Sequence, residues 1–507
     1  MNAMNRREFL KMAAEISLIA TIPSISCSKR TSSFPNIVFI FADDLGYGDV
    51  SCYNTESKIK TPNIDRLATQ GVRFTDAHTS SGVCTPSRYS VLTGRYCWRS
   101  RLKKGVLGGY SGHLIEDGRM TVASLLQKYG YRTGCVGKWH LGWDWALKDG
   151  SYNRELKPVS RKININIDYS KPVKNGPTVF GFDYSFCIPA SLDIPPYVYL
   201  ENDRVTAPVE RVAQKVTGLK FRRSGPQAND FEHEECLPIL TKKAIDFIEK
   251  SSKKEPFFLY FALTAPHTPV LPTKKFQGIS RAGLYGDFVV MVDDVVGQIM
   301  QTLEKNGVAD NTLLIFTSDN GPERHAYPRI QEYHHYSMGK LRGVKRDLWE
   351  GGHRVPFIAR WPNRIEPGRV CHEIIGTIDF MATVAAILGA KLPGNVAEDS
   401  YNILPALLGQ KYARPIREAI ILHSAHGEFA IRKGDWVYID ASSGDNSGEP
   451  EWFRKERGVI PHNDSGELFN LNKDLPERVN LYAKYPKKVR ELKALLEKYK
   501  RKKRSAP

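Results

Sequence analysis

Four segments of the chain share one pattern: an unbroken apolar run that ends directly in polar side chains. They are residues 36–42, 133–137, 256–262 and 312–317. Apolar runs of this length are typical of strands that are buried on both faces, as in a mainly parallel sheet covered by helices. The pattern therefore predicts an α/β fold in which these runs are strands of one large sheet.

The chain between the last two runs has a helical pattern. Apolar side chains recur at helical spacing within residues 285–306, from Val289 to Ile299, and Gly307 is a typical stop. Strand, helix and strand in this order predict a right-handed crossover between parallel strands. In open sheets of this kind, sites form at the carboxyl ends of the strands. All four runs have their polar residues at that end.

Two other regions have a different texture. Residues 143–230 mix proline, tyrosine, asparagine and charge without sustained periodicity, which indicates an insertion over the sheet edge, where substrate selection usually resides. Near residue 414 the pattern changes to short strand candidates at 418–422, 429–432 and 436–439, with a terminal helix at 486–500. We predict a main domain over residues 34–413 and a C-terminal subdomain, an antiparallel sheet plus a helix, over 414–507.

The first thirty residues indicate export. Arg6 and Arg7 precede a weakly apolar stretch that is too short to span a bilayer, and together they resemble a bacterial twin-arginine signal. Residues 24–27 resemble a lipoprotein cleavage box with Cys27 as the lipid-bearing residue, although serine replaces the usual aliphatic residue at position 24. We predict that residues 1–33 are signal and linker and that the protein is periplasmic or outer-membrane-associated. An amphipathic N-terminal helix is the alternative.

Composition narrows the class of protein. The chain has 507 residues, of which 41% are hydrophobic, enough for a large core. The formal net charge of +18 would attract a polyanionic partner such as a sulfated glycan, and the chain has no nucleic-acid motif, so we expect no nucleic-acid partner. The eight cysteines include no C-x-x-C pair and are irregularly spaced, which favours neither a structural zinc site nor a disulfide framework.

The segment from Cys84 to Arg88, C-T-P-S-R, is the most specific short signal. Pro86 suits the first turn of a helix, so Cys84 would lie at a helix N-terminus, where backbone N–H groups and the helix dipole favour anions. Arg88 follows one turn later. A reactive thiolate and a buried structural cysteine are both compatible with these residues.

Six motifs, found in this order, resemble type I sulfatases of the alkaline-phosphatase-like superfamily. They lie at residues 36–49, 84–95, 137–142, 265–269, 317–321 and 341–356. The resemblance implies a mainly parallel sheet sandwiched by helices. It also implies that a maturation enzyme oxidises Cys84 to formylglycine.

Four hard oxygen donors follow two of the predicted strands: Asp43, Asp44, Asp319 and Asn320. Such donors suit calcium or magnesium and not zinc. The resemblance favours calcium, with the oxygen at position 84 as a further ligand. Acids at strand ends can also be turns or helix caps, and that is our interpretation of Asp49, Asp293 and Asp294.

The resemblance also implies how the nucleophile would act. The aldehyde at position 84 would be hydrated to a gem-diol, one hydroxyl of which would attack sulfur after the metal and Asp319 help to deprotonate it. His140 would then take the proton of the second hydroxyl, which expels sulfate.

Four further basic residues match family positions. His267 and Lys345 would bind the sulfate and protonate the leaving alcohol. Lys138 would hold the oxygens at position 84, and Arg88 would orient that group. Three nearby histidines are interpreted as structural: His334, His335 and His353.

Residues 182–204 resemble family branches that act on sulfated carbohydrates, including 6-sulfated galactose or N-acetylgalactosamine. The candidate sugar contacts are Asp193, Tyr197, Asn202 and Arg204, and a proline-rich structural hairpin is equally compatible. We predict an exo-acting carbohydrate sulfatase. The alternatives are a phosphodiester or phosphonate hydrolase of the same superfamily and a non-catalytic sulfated-glycan-binding protein.

Overall fold

A ten-stranded sheet forms the centre of the molecule, with strands numbered here in chain order. Across the sheet the strands are β15 (Arg369–Cys371), β2 (Val72–Phe74), β14 (Phe357–Arg360), β13 (Thr312–Ser318), β1 (Asn36–Asp43), β12 (Phe257–Pro266), β4 (Arg132–Lys138), β7 (Tyr184–Ile188), β8 (Leu200–Glu201) and β9 (Arg204–Val205). The five strands from β13 to β7 are parallel, and β14, β8 and β9 run antiparallel to their neighbours. The predicted mainly parallel α/β sheet is confirmed.

This computed structural model describes residues 34–155, 166–252 and 255–507. The predicted export signal and Cys27 lie outside the described residues. Residues 35–507 belong to a single unit. Among the described residues, no helix is both long and apolar enough to cross a membrane.

Helices cover the sheet. The described α-helices are α1 (Pro62–Thr69), α2 (Cys84–Thr93), α3 (Val122–Lys128), α4 (Cys236–Ser251), α5 (Gly283–Lys305), α6 (Ala326–Tyr333), α7 (Glu350–His353), α8 (Phe380–Leu388), α9 (Leu404–Leu407), α10 (Glu451–Arg457) and α11 (Pro486–Arg501). All eight residues of β1 are buried, as expected for a central strand covered on both faces. The predicted crossover helix is α5, which connects the parallel strands β12 and β13. In the sheet, β1 lies between these two strands.

The region 143–230 differs from the sequence expectation. It supplies β7, which pairs in parallel with β4, and then β8 and β9, which extend the same sheet. The region is therefore partly a continuation of the main sheet and not only an insertion over its edge. Two short hairpin-like pairs complete it: β5 (Trp145–Ala146) with β6 (Tyr152–Asn153), and β10 (Arg211–Ala213) with β11 (Gly225–Gln227).

A second, four-stranded antiparallel sheet follows the main one, as predicted. Its strands are β17 (Ile420–His423), β18 (Phe429–Lys433), β19 (Trp436–Ile439) and β20 (Glu467–Asn470). Alternate side chains point to opposite faces of a strand. Ile421 therefore packs with α11, whereas Ile420 packs with Trp349 of the main domain. A last short pair joins β3 (Ala77–His78) to β16 (Ile375–Gly376).

Candidate active site

The carboxyl ends of the parallel strands bring the predicted catalytic residues together. Asp43 is the last residue of β1, Lys138 the last residue of β4, and Asp319 and His267 directly follow β13 and β12. All four side chains are buried. This convergence follows from the parallel arrangement, since the strands finish at the same edge of the sheet.

Helix α2 positions Cys84 and Arg88. Cys84 is its first residue and is buried, and Gly94 ends the helix in the left-handed conformation that glycine favours. Burial raises the pKa of the Cys84 thiol, although Lys138 and Lys345 oppose this rise. An unmodified Cys84 is therefore a poor thiolate nucleophile.

Arg88 and Lys138 neutralise the buried carboxylates of Asp43 and Asp319. Arg88 donates from Nη2 to Asp319 Oδ2 at 2.7 Å and lies 3.5 Å from Asp43 Oδ1. Lys138 Nζ donates to both oxygens of Asp43, at 2.7 and 2.8 Å. Buried charges are tolerated only when they are paired in this way.

The two acids that face Arg88 have different proton affinities. Burial alone would raise the pKa of Asp43, but Lys138, His267 and Arg88 hold it well below its usual range. Burial, together with the negative charge of Asp43, raises the pKa of Asp319 to about 6. Neighbouring carboxylates commonly diverge in this manner.

Lys345 and His267 meet at Asp44. Lys345 Nζ donates to Asp44 Oδ2 at 2.7 Å, and His267 Nε2 lies 3.6 Å from the same oxygen. Burial would lower the pKa of Lys345, but the Asp44 carboxylate raises it above its ordinary value. Lys345 therefore remains cationic, which suits a residue that binds an anion.

His140 is held as a neutral ring. Its Nε2 lies 2.8 Å from Leu107 O, which assigns the ring proton to Nε2, and its Nδ1 is buried without a hydrogen-bond partner. Burial, followed by the charge of Lys138, lowers the pKa of His140 well below its usual value. A neutral imidazole with a free nitrogen is suited to accept a proton.

The oxygen donors fit a hard cation. Asn320 Nδ2 donates to Asp44 Oδ1 at 2.7 Å and to Gly321 O at 2.9 Å, while Asn320 Oδ1 is buried with no partner. One oxygen of Asp43, one of Asp319 and Cys84 Sγ lie within 4.8 Å of one another. An orphaned carbonyl among carboxylates is the donor chemistry that calcium and magnesium prefer.

The four candidate sugar contacts lie in the region 143–230 and are not grouped around Cys84 by any described contact. Asp193 forms an ion pair with Arg223 through Oδ2, and its Oδ1 is buried without a hydrogen-bond partner. Tyr197 Oη donates to Arg223 O at 2.6 Å. Asn202 accepts from Ser185 N at 3.0 Å, and Arg204 is exposed in β9. Their role in sugar binding stays a prediction.

Sequence reasoning missed a charged pair beside Lys345. Arg346 donates to both oxygens of Glu323, at 2.7 and 2.8 Å, and Glu323 lies 3.8 Å from Lys345 Nζ. Arg346 also has φ +86°, a strained conformation for a bulky side chain. Two consecutive basic residues, Lys345 and Arg346, were the only sequence signal for this pair.

Two of the acids interpreted as structural, Asp49 and Asp293, accept hydrogen bonds from distant segments of the chain. Asp49 accepts from Tyr285 Oη at 2.6 Å and lies 2.8 Å from His335 Nε2. Asp293 accepts from the backbone N–H groups of Asn63 and Ile64 at the start of α1. Asp293 therefore holds the start of α1, whereas Asp49 is linked through Tyr285 Oη to the backbone oxygen of Asp44.

Comparisons with known proteins agree with this geometry. A family model described as sulfatase matches residues 35–390. An N-acetylgalactosamine-6-O-sulfatase of Bacteroides thetaiotaomicron is 38% identical over 509 residues, covering 92% of this chain and 93% of that protein. Arylsulfatase A of Bos taurus is 32% identical over 474 residues, covering 90% and 85%. A solved structure from work on glycosaminoglycan metabolism by Bacteroides thetaiotaomicron superposes with TM-score 0.78 at 36% identity, covering 92% of this chain and 99% of that one.

Proposed function

Because the chain belongs to the sulfatase family and is a sulfuric ester hydrolase, we propose that its substrate is a sulfated carbohydrate. We further propose that it acts through a formylglycine made from Cys84 and requires calcium. The observation that carries this proposal is the arrangement of Cys84 beside two buried carboxylates, with Arg88, Lys138 and Lys345 around them.

Asp43, Asp44, Asp319 and Asn320 would hold the calcium ion. When bound, such an ion supplies positive charge that polarises sulfate oxygens and favours deprotonation of the nucleophile. The unpartnered Oδ1 of Asn320 supports this ligand set. Calcium is favoured over magnesium because several protein oxygens converge, whereas magnesium usually keeps several waters.

Formylglycine would supply a hydrated aldehyde as the oxygen nucleophile. The surrounding residues divide the other tasks. Lys138 and Arg88, which are hydrogen-bonded to each other, would hold the charge near position 84, and neutral His140 would accept a proton through its unpartnered Nδ1. Lys345 and His267 would hold the sulfate and give a proton to the departing alcohol.

The leaving-group proton can be tested directly. A nitrophenolate leaves without protonation, whereas a sugar alkoxide needs a proton. We expect Lys345→Ala to reduce kcat/KM by about 10²–10⁴-fold on a sugar sulfate and by a smaller factor on nitrophenyl sulfate. Lys340→Ala, at an exposed neighbouring lysine, is the control. Equal losses on both substrates would assign Lys345 to sulfate binding alone.

The substrate class rests on named relatives. One relative is an N-acetylgalactosamine-6-O-sulfatase, and it aligns with nearly the whole chain. We propose exo-removal of a 6-O-sulfate from galactose or N-acetylgalactosamine, with Asp193, Tyr197, Asn202 and Arg204 as candidate sugar contacts. The net charge of +18 is favourable for a sulfated substrate.

A panel assay tests the proposal. Protein from a host that makes formylglycine would be incubated with 6-, 4- and 2-O-sulfated monosaccharides, a sulfated oligosaccharide and an aryl phosphodiester. We expect sulfate release to be fastest from a 6-O-sulfated sugar. Faster turnover of the phosphodiester would favour the alternative hydrolase. No turnover of any compound, with retained glycan binding, would favour a binding protein.

Maturation is tested on the same sample. Mass spectrometry of the peptide that carries Cys84 should show formylglycine, about 18 Da lighter than cysteine. An unmodified cysteine in protein from a maturation-competent host that is nevertheless active would overturn the formylglycine part of the proposal.

We also propose that the protein is exported, to the periplasm or the outer membrane, and that Cys27 carries a lipid. The paired arginines at positions 6 and 7 support export. The double substitution Arg6→Lys/Arg7→Lys should leave the protein in the cytoplasm, which fractionation of the native host would measure. Unchanged export of that variant would contradict a twin-arginine route. Loss of membrane association in Cys27→Ser would support the lipid anchor.

A further inference from the structure

A second cluster of potential metal ligands is buried outside the catalytic centre. It consists of His78 at the end of β3 and of Glu350 and His353, the first and last residues of α7. One ligand atom from each lies within 4.8 Å of the others, and the three residues have relative exposures of 0, 0 and 1%. A backbone hydrogen bond from Thr79 N to His353 O, at 2.8 Å, fixes the two histidine-bearing segments together.

The outer nitrogen of each imidazole is committed as a hydrogen-bond donor. His78 Nε2 lies 2.7 Å from Asp76 Oδ1, and His353 Nε2 lies 3.1 Å from Leu348 O. A carboxylate and a carbonyl oxygen only accept hydrogen bonds, so each Nε2 carries a proton. Arg432 Nη1, which is 3.0 Å from His78 Nε2, also donates to Asp76 Oδ1, at 2.7 Å.

The inner nitrogens of the two rings face one another and can share either a proton or a cation. His78 Nδ1 and His353 Nδ1 are only 3.1 Å apart. In two neutral rings with protonated Nε2 atoms, both Nδ1 atoms present lone pairs, and two facing lone pairs repel unless a cation lies between them or beside them.

Glu350 belongs to the same cluster and has one oxygen without a hydrogen-bond partner. Its Oε2 accepts from Arg354 at 3.0 Å and from Arg432 at 3.1 Å, whereas its Oε1 is buried and has no hydrogen-bond partner. An ionised carboxylate oxygen without a partner is costly in a buried site. The two facing Nδ1 atoms and the Glu350 carboxylate thus lie in one buried cluster, and Glu350 Oε1 has no protein donor.

We propose that His78 Nδ1, His353 Nδ1 and Glu350 Oε1 bind one divalent transition metal ion of the zinc class. Two imidazoles and one carboxylate are a ligand set that zinc uses in proteins. Histidine ligands of metals usually donate their other ring N–H to a carboxylate or a backbone carbonyl, and Asp76 and Leu348 O have this role here. The nitrogen donors disfavour calcium, which takes oxygen ligands.

The charges around the cluster limit what the ion can be. Arg432 and Arg354 already pair with Asp76 and Glu350, so the ion must be held mainly by its direct bonds and not by excess negative charge. Borderline metals bound by imidazole meet this condition, whereas hard cations do not. The ion would fasten β3 to α7 and, through Arg432, to β18 of the smaller sheet.

Metal content tests this inference independently of sulfatase activity. The full chain would be produced without a histidine tag as Cys84→Ala, so that no thiol is available in the catalytic centre, and grown with added zinc. Mass spectrometry of metals in the purified protein should find about one zinc-class ion per chain. His353→Gln and His78→Gln should each reduce this content at least tenfold. His372→Gln, at an exposed histidine, should leave it unchanged.

A spectroscopic titration covers variants that fold poorly. Metal-depleted Cys84→Ala protein would be titrated with cobalt(II), whose visible absorption reports imidazole and carboxylate ligands in a four- or five-coordinate site. Saturation near one equivalent, displaced by zinc and absent in His353→Gln, supports the inference. A substoichiometric metal content together with no cobalt absorption in the parent protein would overturn it, and the two Nδ1 atoms would then share a proton.

Discussion

Two buried polar clusters of this protein use the same segment of chain with different chemistry. Lys345 reaches the catalytic cluster, and five residues later Glu350 begins the helix that carries His353 to the second cluster. The catalytic cluster offers carboxylate and amide oxygens, whereas the second offers two imidazole nitrogens and one carboxylate. Burial alone therefore does not define a metal site. The donor atoms decide which ion each cluster can bind.

The clusters also differ in how their charges are balanced. Lysines neutralise Asp43 and Asp44 at the strand ends, and an ammonium group can be displaced or moved when an anion or cation binds. Arginines neutralise Asp76 and Glu350, and Arg432 forms a bidentate pair with Asp76. A planar, bidentate pair is the more rigid arrangement. We therefore expect changes in the first cluster to affect catalysis and changes in the second to affect stability.

The largest expected effect separates the clusters by activity. Cys84→Ala should reduce kcat by about 10⁴-fold or more, because it removes the nucleophile, and should change the free energy of unfolding little. Sulfate release and thermal unfolding measure the two quantities. Cys52→Ser, at a partly exposed cysteine, is the control and should keep activity. Residual activity within tenfold of the wild type would contradict Cys84 as the nucleophile.

The second prediction reverses the pattern. Arg432→Met should reduce the free energy of unfolding by about 3–5 kcal/mol, because it leaves Asp76 and Glu350 buried with less compensation. Chemical denaturation measures this loss. kcat at a temperature where the variant is folded should stay within a few-fold of the wild type. Lys433→Met, at the neighbouring partly exposed lysine, is the control. If Arg432→Met instead kept wild-type stability and lost activity, the separation between a catalytic and a stabilising cluster would be wrong.

Calcium binding should stabilise the folded protein through the catalytic cluster and not through the second cluster. A ligand present at 100 times its dissociation constant stabilises the folded state by about 2.7 kcal/mol. We expect calcium to stabilise the wild type and His353→Gln similarly and to have no effect on Asp319→Asn. Thermal unfolding with and without calcium measures this. If calcium still stabilises Asp319→Asn but no longer stabilises His353→Gln, the ion binds in the second cluster and not in the catalytic one.

The last prediction concerns the turn between the clusters. Burial raises the pKa of Asp347 to about 8, although the Val344 and Asn446 N–H groups oppose this rise. Between its unfolded pKa and 8, the folded protein holds a proton that the unfolded chain has released, so this group destabilises the folded state increasingly as pH rises. Wild-type stability relative to Asp347→Asn should therefore fall between pH 5 and about 8. Parallel stability profiles for the two proteins would contradict the raised pKa.

The catalytic cluster could be predicted because its residues follow strands. A buried parallel strand is visible as an apolar run, and the polar residue after it must lie at the common edge of the sheet. Asp43, Lys138, His267 and Asp319 all lie at strand ends, as this pattern predicts, and their roles stay predictions that rest on the family motifs. The fold and the family are confirmed. The sheet strand β7 was missed because it is short and lies within an irregular region.

The second cluster could not be predicted. His78 and His353 are 275 positions apart, and Asp76 and Arg432 are separated by 356. The absence of a C-x-x-C pair was informative about cysteine zinc sites only, and a lone histidine gives no periodic signal. We interpreted His353 as structural from the sequence, because no residue near it in the chain indicates a partner for its imidazole.

Hydrophobic periodicity and short motifs are local properties, so the chain alone predicts the central strands, their polar ends and the importance of the segment that begins at Cys84. Only the folded structure shows which charges pair, which atoms the ring nitrogens of His140 and His78 face, and that Glu350 Oε1 and Asn320 Oδ1 have no partner. These features depend on contacts between distant segments in a low-dielectric interior. There, the geometry of a few atoms fixes proton positions and electrostatic energies that no local pattern encodes.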